Sequence, residues 1–308
     1  MISDFKDGMH IEGQFLVASS AKCVNNLGSF YLNLELRDAS GSISAKKWEV
    51  TSDDEAIFVA GNVVFIVGEV VKYRDALQFK VIKATLVEPD AIDYATLLTP
   101  PPIPKEKLEE KFNYFVNSIK DKDCKALLDY FINKYASKLF LYPAGVSVHH
   151  EYSSGLLTHL TSMAELGDFL AKKYQPINRD LLITGILLHD IGKLIELEGT
   201  VVFHYSVEGK LLGHISIMVG EIRKAAEELK IKSEIPLLLE HMVLSHHDKP
   251  EFGSPMPPMI KEAILLTMID NLDSRMAIVD KALEAIEPGE FTQKIYPLDG
   301  RSIYKPKN

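Results

Sequence analysis

The sequence is poor in cysteine and lacks long apolar runs, and both absences narrow the class of protein. Its two cysteines, Cys23 and Cys124, stand far apart and form neither a disulfide framework nor the paired spacing of a zinc ribbon. No apolar run approaches the roughly 20 residues of a membrane span. The first residues, MISDFKDGMH, carry acids where a signal peptide has a basic start and an apolar stretch. We therefore expect a cytoplasmic protein with no membrane contact.

The sequence has fewer basic than acidic residues, and it lacks three common catalytic or nucleotide-binding motifs. The chain has 34 Lys and Arg against 43 Asp and Glu, a net charge of −9. This balance argues against indiscriminate electrostatic binding to nucleic acid, although it leaves room for a local basic groove. The sequence contains no P-loop, GxSxG or GxGxxG motif. It therefore predicts neither a motor that consumes nucleotide nor an activated serine nucleophile.

Residues 1–90 have the pattern of a small β-barrel. Turn residues separate five runs that are rich in β-branched and aromatic residues: GQFLVASSAKCV, SFYLNLELRD, GSISAKKWEV, NVVFIVGEVVKY and ALQFKVIKATLV. In the second run Leu32, Leu34 and Leu36 occupy alternate positions, which predicts a half-buried strand. Five strands in about 80 residues suit a closed or partly open barrel better than a large sandwich.

A proline-rich joint, TPPPIP, separates the predicted barrel from a helical region. Proline cannot continue a strand ladder or sit inside a helix, and it stiffens the chain. We therefore assign residues 91–104 to a linker, 105–290 to an all-α domain and 291–308 to a C-terminal tail. The helical pattern begins with Leu108 and Phe112, which are followed by further apolar residues at helical spacing.

Histidine is concentrated in the predicted helical domain, where nine of the ten histidines lie between residues 149 and 247. A set of polar residues follows apolar helical stretches: His159 in GLLTHLTSM, His189 and Asp190 in ILLHDIGK, His214 in LLGHISIM, His246 in VLSHHDKP and Asp270 in LLTMIDNLDSR. Buried polar groups need partners, so five helices that direct imidazole and carboxylate inward should bring them together. This donor set suits a first-row divalent cation such as Mn, Fe, Co or Zn.

The order H…HD…H…H…D resembles the HD-domain phosphohydrolase superfamily, an all-α fold that holds one or two divalent metals. With the preceding barrel and the stretches GLLTHL, LLHDIGK, GH and SHH…MIDNLDSR, the chain resembles the YhaM-type 3′-to-5′ exoribonucleases over nearly its whole length. The resemblance implies that residues 1–90 are an OB-fold that binds nucleic acid. We therefore expect a multidomain β + α protein, with an OB-fold-like five-stranded β-barrel followed by an all-α HD domain.

The resemblance also implies a set of metal ligands: His159, His189, Asp190, His214, His246 and Asp270. Asp190 is the expected bridge between two cations, because a carboxylate has two oxygens. His159, His189 and Asp270 would complete one metal site, and His214 and His246 the other. We expect two divalent ions, with Mn²⁺ first and Mg²⁺, Co²⁺ or Fe²⁺ as alternatives.

Two of these ligand positions stay open. His247 adjoins His246, and the sequence does not distinguish which imidazole binds or whether both do. Asp273 lies three residues after Asp270 on the same helical face. We prefer Asp270 because it ends the apolar run AILLTMI, which directs it inward.

Two metals about 3.5–4 Å apart form a clamp for in-line phosphoryl displacement. We therefore expect a metal-dependent exonuclease that hydrolyses single-stranded RNA, and DNA as a further candidate substrate, to mononucleotides; the 3′-to-5′ direction comes from the resemblance. Asp190 and Lys193 are the expected catalytic residues. Lys193 follows His189 by one turn, where its cation suits a phosphate oxygen; the alternative is a surface lysine paired with Glu196.

Two rival functions differ in substrate or class. The first is an HD-domain phosphodiesterase or phosphatase that acts on a small nucleotide, with the OB-fold as a regulatory module. The second is a nucleic-acid-binding protein whose HD domain is only structural. A homo-oligomer is compatible with all of these functions. Stepwise shortening of a labelled oligonucleotide would distinguish the exonuclease from both rivals.

Further residues are candidates for substrate contact. His149 and His150 precede a glycine-containing turn and could reach the scissile phosphate, or could be solvated loop residues. In the barrel, exposed aromatic rings would stack on bases, and the candidates are Tyr31, Trp48 and Tyr73, with Phe30 and Phe79 as further rings. Alternation predicts Tyr31 as the better surface candidate and Phe30 as the worse. Residues 1–90 have nine Lys and Arg against thirteen Asp and Glu, so we expect the barrel to guide the strand only weakly.

Overall fold

The computed structural model describes residues 1–25, 28–74, 76–98, 103–144, 154–199, 201 and 203–307. The chain divides into two compact units. The first unit comprises Met1–Pro100 with Gly199–Phe203, and the second comprises Pro101–Glu198 with His204–Asn308. The division near residue 100 lies within the stretch that the sequence assigns to a linker.

The first unit is a closed five-stranded barrel. Its strands are β1 (His10–Val24), β2 (Phe30–Asp38), β3 (Gly41–Trp48), β4 (Val63–Tyr73) and β5 (Ala76–Leu86), and helix α1 (Ser52–Ile57) connects β3 to β4. Neighbouring strands follow the order β1-β2-β3-β5-β4, with β1 paired to β4 across the closure. Only the β3–β5 pairing is parallel among the described barrel strands. This is the five-stranded barrel of an OB-fold, and the predicted fold of this region is confirmed.

Strand β1 closes the barrel because it pairs with a different strand at each end. Its first half, from His10 to Leu16, pairs with β4, and its second half, from Leu16 to Val24, pairs with β2. An irregularity in register between Val17 and Ser19 separates the two halves. A β-bulge bends a strand and increases its twist, so this irregularity allows one strand to serve both edges.

The predicted alternation along β2 is confirmed. Leu32, Leu34 and Leu36 are buried in the barrel core. Two aromatic residues differ from expectation. Phe79 is fully buried and packs against other core rings, so it offers no surface for a base. Phe30 shares the parity of the buried leucines but is 53% exposed, because it is the first residue of β2 and lies beyond the end of the core.

The second unit is built from helices. They are α3 (Lys105–Ser118), α4 (Lys122–Leu139), α5 (Gly155–Lys173), α6 (Arg179–Leu188), α7 (Lys193–Glu196), α8 (Val207–Glu228), α9 (Ile235–Ser245) and α10 (Lys261–Glu284), after the short α2 (Tyr94–Leu97) of the first unit. Two-residue strands β6 (Leu197–Glu198) and β7 (His204–Tyr205) pair beside α7. Among the described residues, no helix combines the length and the hydropathy of a membrane span.

Helix α6 is the centre of the second unit. Its residues from Leu181 to Leu188 are all buried, and it packs against α4, α5, α9 and α10. A helix that is apolar on all sides requires such surroundings. Because the histidine and aspartate of ILLHDIGK follow directly after this helix, they emerge in the interior and not at the surface.

Candidate metal centre

Six side chains predicted as metal ligands meet at one end of α6. His159 comes from α5, His189 and Asp190 follow α6, His214 comes from α8, His246 follows α9, and Asp270 comes from α10. His159, His189, Asp190 and His246 are almost completely buried. The convergence expected from the sequence is therefore present in the geometry.

Asp190 lies at the centre, and its two oxygens face different imidazoles. Oδ2 lies 3.5 Å from Nε2 of His189 and 3.7 Å from Nε2 of His159. Oδ1 lies 3.4 Å from Nε2 of His214 and 4.0 Å from Nε2 of His246. The carboxylate thus divides the four histidines into the two pairs that the resemblance assigns to separate metals.

Several donor atoms of this cluster are buried without a hydrogen bond. Among the described residues, Nε2 of His189, His214 and His246 and Oδ1 of Asp190 are buried without a hydrogen bond. Donor atoms also fall within 4.8 Å of one another in three groups: His159 with His189 and Asp190, His189 with His246 and Asp270, and His214 with His246 and His247. Buried polar atoms normally have partners, so this donor set fits one or more divalent cations.

Each imidazole is held through its other nitrogen. Nδ1 of His189 lies 2.8 Å from the carbonyl of Ile186, and Nδ1 of His246 lies 2.7 Å from that of Val243. In both cases the carbonyl belongs to the last turn of the helix that delivers the histidine. Such contacts fix the ring orientation and favour the tautomer in which Nε2 carries the lone pair.

The other two imidazoles are held by carboxylates that the sequence did not identify as supports. Nδ1 of His159 lies 2.7 Å from Oδ2 of Asp273, while its Nε2 lies 3.3 Å from Oδ1 of Asp270. Asp270 therefore faces the cluster and Asp273 lies on the outer side of the ring. Nδ1 of His214 lies 3.2 Å from Oε1 of Glu196. The three-residue spacing after Asp270 was the only sequence signal for Asp273.

Lys193 makes an ion pair with Asp190 and not with Glu196. Its Nζ donates to Oδ2 of Asp190 at 2.7 Å, and its side chain is 13% exposed. The alternative of a surface lysine paired with Glu196 is therefore wrong, because Glu196 turns toward His214 and also accepts the backbone N–H of that residue at 3.0 Å. The ammonium of Lys193 stands beside the cluster and lines its pocket.

The charges of the cluster follow from burial and its neighbours. Burial lowers the pKa of His189 and holds that of His246 well below its usual range, so both rings are neutral. Burial also opposes the charged form of His159, but hydrogen bonds to Asp270 and Asp273 outweigh it and raise its pKa to about 9. Burial likewise opposes ionisation of Asp190, yet Lys193 and the histidines hold its pKa well below its usual range.

Two glycines allow α8 to reach the cluster. A Cβ at Gly192 would collide with the backbone carbonyl of His214, so the glycine of HDIGK permits this close approach. Gly213 has φ 69° and ψ 154° inside α8, a conformation that is essentially restricted to glycine. The resulting kink directs the backbone N–H of His214 toward Glu196.

Comparison with known proteins agrees with this arrangement. The HD domain family matches residues 156–275. The 3′-5′ exoribonuclease YhaM of Geobacillus sp. (strain WCH70) is 44% identical over 306 residues, which cover 99% of this chain and 94% of that protein. The 3′-5′ exoribonuclease YhaM of Bacillus subtilis (strain 168) is 42% identical over 300 residues, 97% of this chain and 96% of its own. The chain belongs to the YhaM family.

Two further expectations concern His247 and the pair His149 and His150. His247 joins His214 and His246 in one of the three groups; its Nδ1 lies 2.7 Å from the carbonyl of Phe252, and its side chain is 28% exposed. The geometry thus brings both neighbouring histidines to the cluster. His149 and His150 lie outside the described residues.

In the barrel, three aromatic candidates and one lysine form a surface cluster, which we term the barrel aromatic cluster: Tyr31, Trp48, Tyr73 and Lys46. The rings of Tyr31 and Trp48 stack with centroids 4.8 Å apart. Nζ of Lys46 lies 5.1 to 5.6 Å from the centroids of all three rings. Trp48 and Tyr73 are exposed and Tyr31 is partly exposed. Stacked rings beside a cation are the features with which OB-folds bind single strands.

Substitution of Gly213 tests the kink of α8. We expect Gly213→Ala to lower the free energy of unfolding by on the order of 1–3 kcal/mol because alanine is strained in that conformation, and to reduce metal occupancy through displacement of His214. Gly220→Ala is the control, since Gly220 lies in the same helix with open space around it; it should stabilise by roughly 1 kcal/mol. Urea unfolding measures both, and equal effects would contradict the role of Gly213.

Asp273→Asn tests the support of His159. Loss of the carboxylate should weaken metal binding about 10- to 100-fold, as is usual for residues behind a metal-binding histidine. Titration of the metal-free protein with Mn²⁺ by calorimetry measures this affinity. Asp280→Asn, on the exposed side of the same helix, should leave it unchanged. Unaltered affinity in Asp273→Asn would remove this residue from the centre.

Proposed function

We propose that this chain is a metal-dependent 3′-to-5′ exoribonuclease that hydrolyses single-stranded RNA to mononucleotides. The observation that carries the proposal is the position of Asp190, whose two oxygens face two separate histidine pairs inside a pocket. That arrangement suits two divalent cations that share one carboxylate. The relatives are named 3′-5′ exoribonucleases, and this name is the basis for the proposed 3′-to-5′ direction and for RNA as the substrate.

Two metal positions follow from the donor atoms. His159, His189 and Asp270 would hold one ion and His214 and His246 the other, with His247 as a further donor to the second. Divalent ions at these positions would supply Lewis acidity toward a phosphodiester and would lower the pKa of water so that it can attack near neutral pH. Mn²⁺ is the proposed ion, and Mg²⁺, Co²⁺ and Fe²⁺ are alternatives that suit the same donors.

The residues of the chain have distinct tasks in this reaction. Asp190 sets the separation of the two positions because each of its two oxygens faces one pair of histidines. Nζ of Lys193 is held by Asp190 at the pocket wall, and this contact, against the effect of burial, raises the pKa of Lys193. A permanently charged ammonium there can hold a non-bridging oxygen of the scissile phosphate and stabilise the charge that develops during displacement.

Single-stranded RNA is the proposed substrate, and single-stranded DNA is a second candidate. The barrel aromatic cluster supports this proposal because each stacked base contributes about 1–3 kcal/mol without regard to its identity. The first 90 residues carry more acidic than basic side chains, so stacking outweighs phosphate attraction in this unit. That the protein is cytoplasmic and that it forms a homo-oligomer remain predictions from the sequence.

A labelled oligonucleotide tests the proposed function directly. With 5′-labelled single-stranded RNA and Mn²⁺, we expect a ladder of products that shortens stepwise from the 3′ end, and EDTA should abolish it. Asp190→Asn should reduce the rate by more than the roughly 100-fold that loss of a group behind a metal ligand can cost, and it should lower the metal content because one oxygen of the bridge is lost. Asp280→Asn should retain full activity and metal content. Hydrolysis of small nucleotides with intact RNA would instead support the small-nucleotide phosphodiesterase.

Binding measured without cleavage tests the barrel aromatic cluster. In EDTA, Trp48→Ala should weaken binding of a labelled 12-nucleotide RNA about 5- to 100-fold, the value of one base stacked on an aromatic ring. Phe65→Ala is the matched control, since Phe65 and Trp48 are both 39% exposed and Phe65 is not part of the cluster. Fluorescence anisotropy measures both. Equal binding by the two variants would remove the cluster from substrate recognition.

A further inference from the structure

The pocket beside the metal centre has a second wall with no assigned role. The cavity is about 310 Å³ in volume and is lined by Asp190, His246 and Asp270 of the candidate centre and also by Phe252, Asn271 and Ser274, which we term the second wall. This volume is at the lower end of the range for small-ligand pockets, about 300–1,000 Å³. It therefore suits one nucleotide better than an extended strand.

Phe252 presents an aromatic ring at this pocket. Its side chain is 63% exposed, although it follows the buried end of α9 by only a few residues. Its carbonyl accepts from Nδ1 of His247 at 2.7 Å, and Oγ of Ser254 accepts the backbone N–H of His247 at 3.0 Å. The backbone of the turn that carries the ring is thus held beside the metal centre through His247.

The rest of this wall is polar and comes from one face of α10. Thr267, Asn271 and Ser274 are spaced by four and three residues, so they share a face, and Asp270 lies on the adjoining face that turns toward His159 and His189. Asn271 is exposed and Ser274 is partly exposed. An amide and a hydroxyl at this position can donate to and accept from ribose hydroxyls.

We infer that this wall binds the 3′-terminal nucleotide of the RNA. Phe252 stacks on the terminal base, Asn271 and Ser274 bind its ribose hydroxyls, and the metal side holds the phosphodiester that joins it to the chain. The inference rests on the proposed function and adds to it the residues that select the end of the strand. A subsite for a single nucleotide fits the proposed release of mononucleotides.

The arrangement predicts which features of the terminal nucleotide matter. Every base has a π-face, so stacking on Phe252 tolerates any sequence but requires that a base be present. The ribose hydroxyls are read separately, by hydrogen bonds, and the 2′-hydroxyl is the group that distinguishes RNA from DNA. Removal of the base and removal of the 2′-hydroxyl should therefore be sensed by different residues.

Variants of Phe252 combined with altered substrates test the stacking contact. We expect Phe252→Ala to lower kcat/KM about tenfold or more on single-stranded RNA, mainly through KM, while Phe252→Tyr retains the wild-type value. On RNA whose 3′-terminal nucleotide lacks its base, wild type and Phe252→Ala should be equal. Phe169→Ala is the control, because Phe169 is also 63% exposed but lies on α5 outside the pocket lining.

Two results would overturn the inference. One is an unchanged kcat/KM in Phe252→Ala, and the other is a loss of equal size on intact and abasic ends, which would indicate a structural role.

Asn271→Ala should reduce the preference for a 3′-terminal ribonucleotide over a 2′-deoxyribonucleotide, and an unchanged preference would remove Asn271 from the subsite. If wild type does not shorten RNA at all, the proposed function fails; if wild type does so and Phe252→Ala is equally active, only the terminal subsite fails.

Discussion

The second unit depends on one buried carboxylate, that of Asp190. A buried charge is costly unless it is paired, and this one is surrounded by an ammonium and four imidazoles. Lys193 satisfies only Oδ2, while Oδ1 faces two histidines without a hydrogen bond. Because Oδ1 of this buried carboxylate lacks a hydrogen-bond donor among the described residues, a divalent cation at this end of α6 would stabilise it. The surrounding helices bring the other donor atoms to the same place.

The precision of the centre comes from the groups behind the histidines. His189 and His246 are supported by carbonyls of the helices they terminate, so the backbone itself sets their orientation. His159 and His214 come from the interior of helices and are supported by carboxylates of other segments. Each proposed metal position has one histidine of each kind. A carboxylate support increases the basicity of its ring, so each position has one imidazole whose basicity is raised in this way.

Much of the fold and of the ligand set could be predicted from the sequence, because the spacing of apolar residues indicates which side chains are buried. The alternation of Leu32, Leu34 and Leu36 predicted a strand and its inner face, and apolar helical stretches predicted which polar residues point inward. Phe30 was predicted wrongly because periodicity gives a direction but not the place where the core ends. Phe79 was considered as a surface ring, whereas its partners in the core come from distant parts of the chain.

The supports and the second wall of the pocket could not be predicted in this way. Asp273 and Glu196 act through contacts with residues 114 and 18 positions away, and no local pattern marks such a pair. Phe252 lies in the three-residue helical turn Pro250–Phe252. Such a segment is too short to show the spacing of apolar residues that marks a helix or a strand. Its relation to the centre becomes visible only when the hydrogen bond from His247 is known. Local pattern thus identifies the donors, and tertiary structure identifies what positions them.

Anomalous diffraction from crystals of the protein grown with Mn²⁺ locates the bound ions directly. We expect two anomalous peaks about 3.5–4 Å apart, one on each side of the Asp190 carboxylate, with His159 and His189 near the first and His214 and His246 near the second. The same data from Asp190→Asn crystals should lose at least one peak. A single peak, or two peaks that Asp190 does not contact, would contradict the two-metal centre.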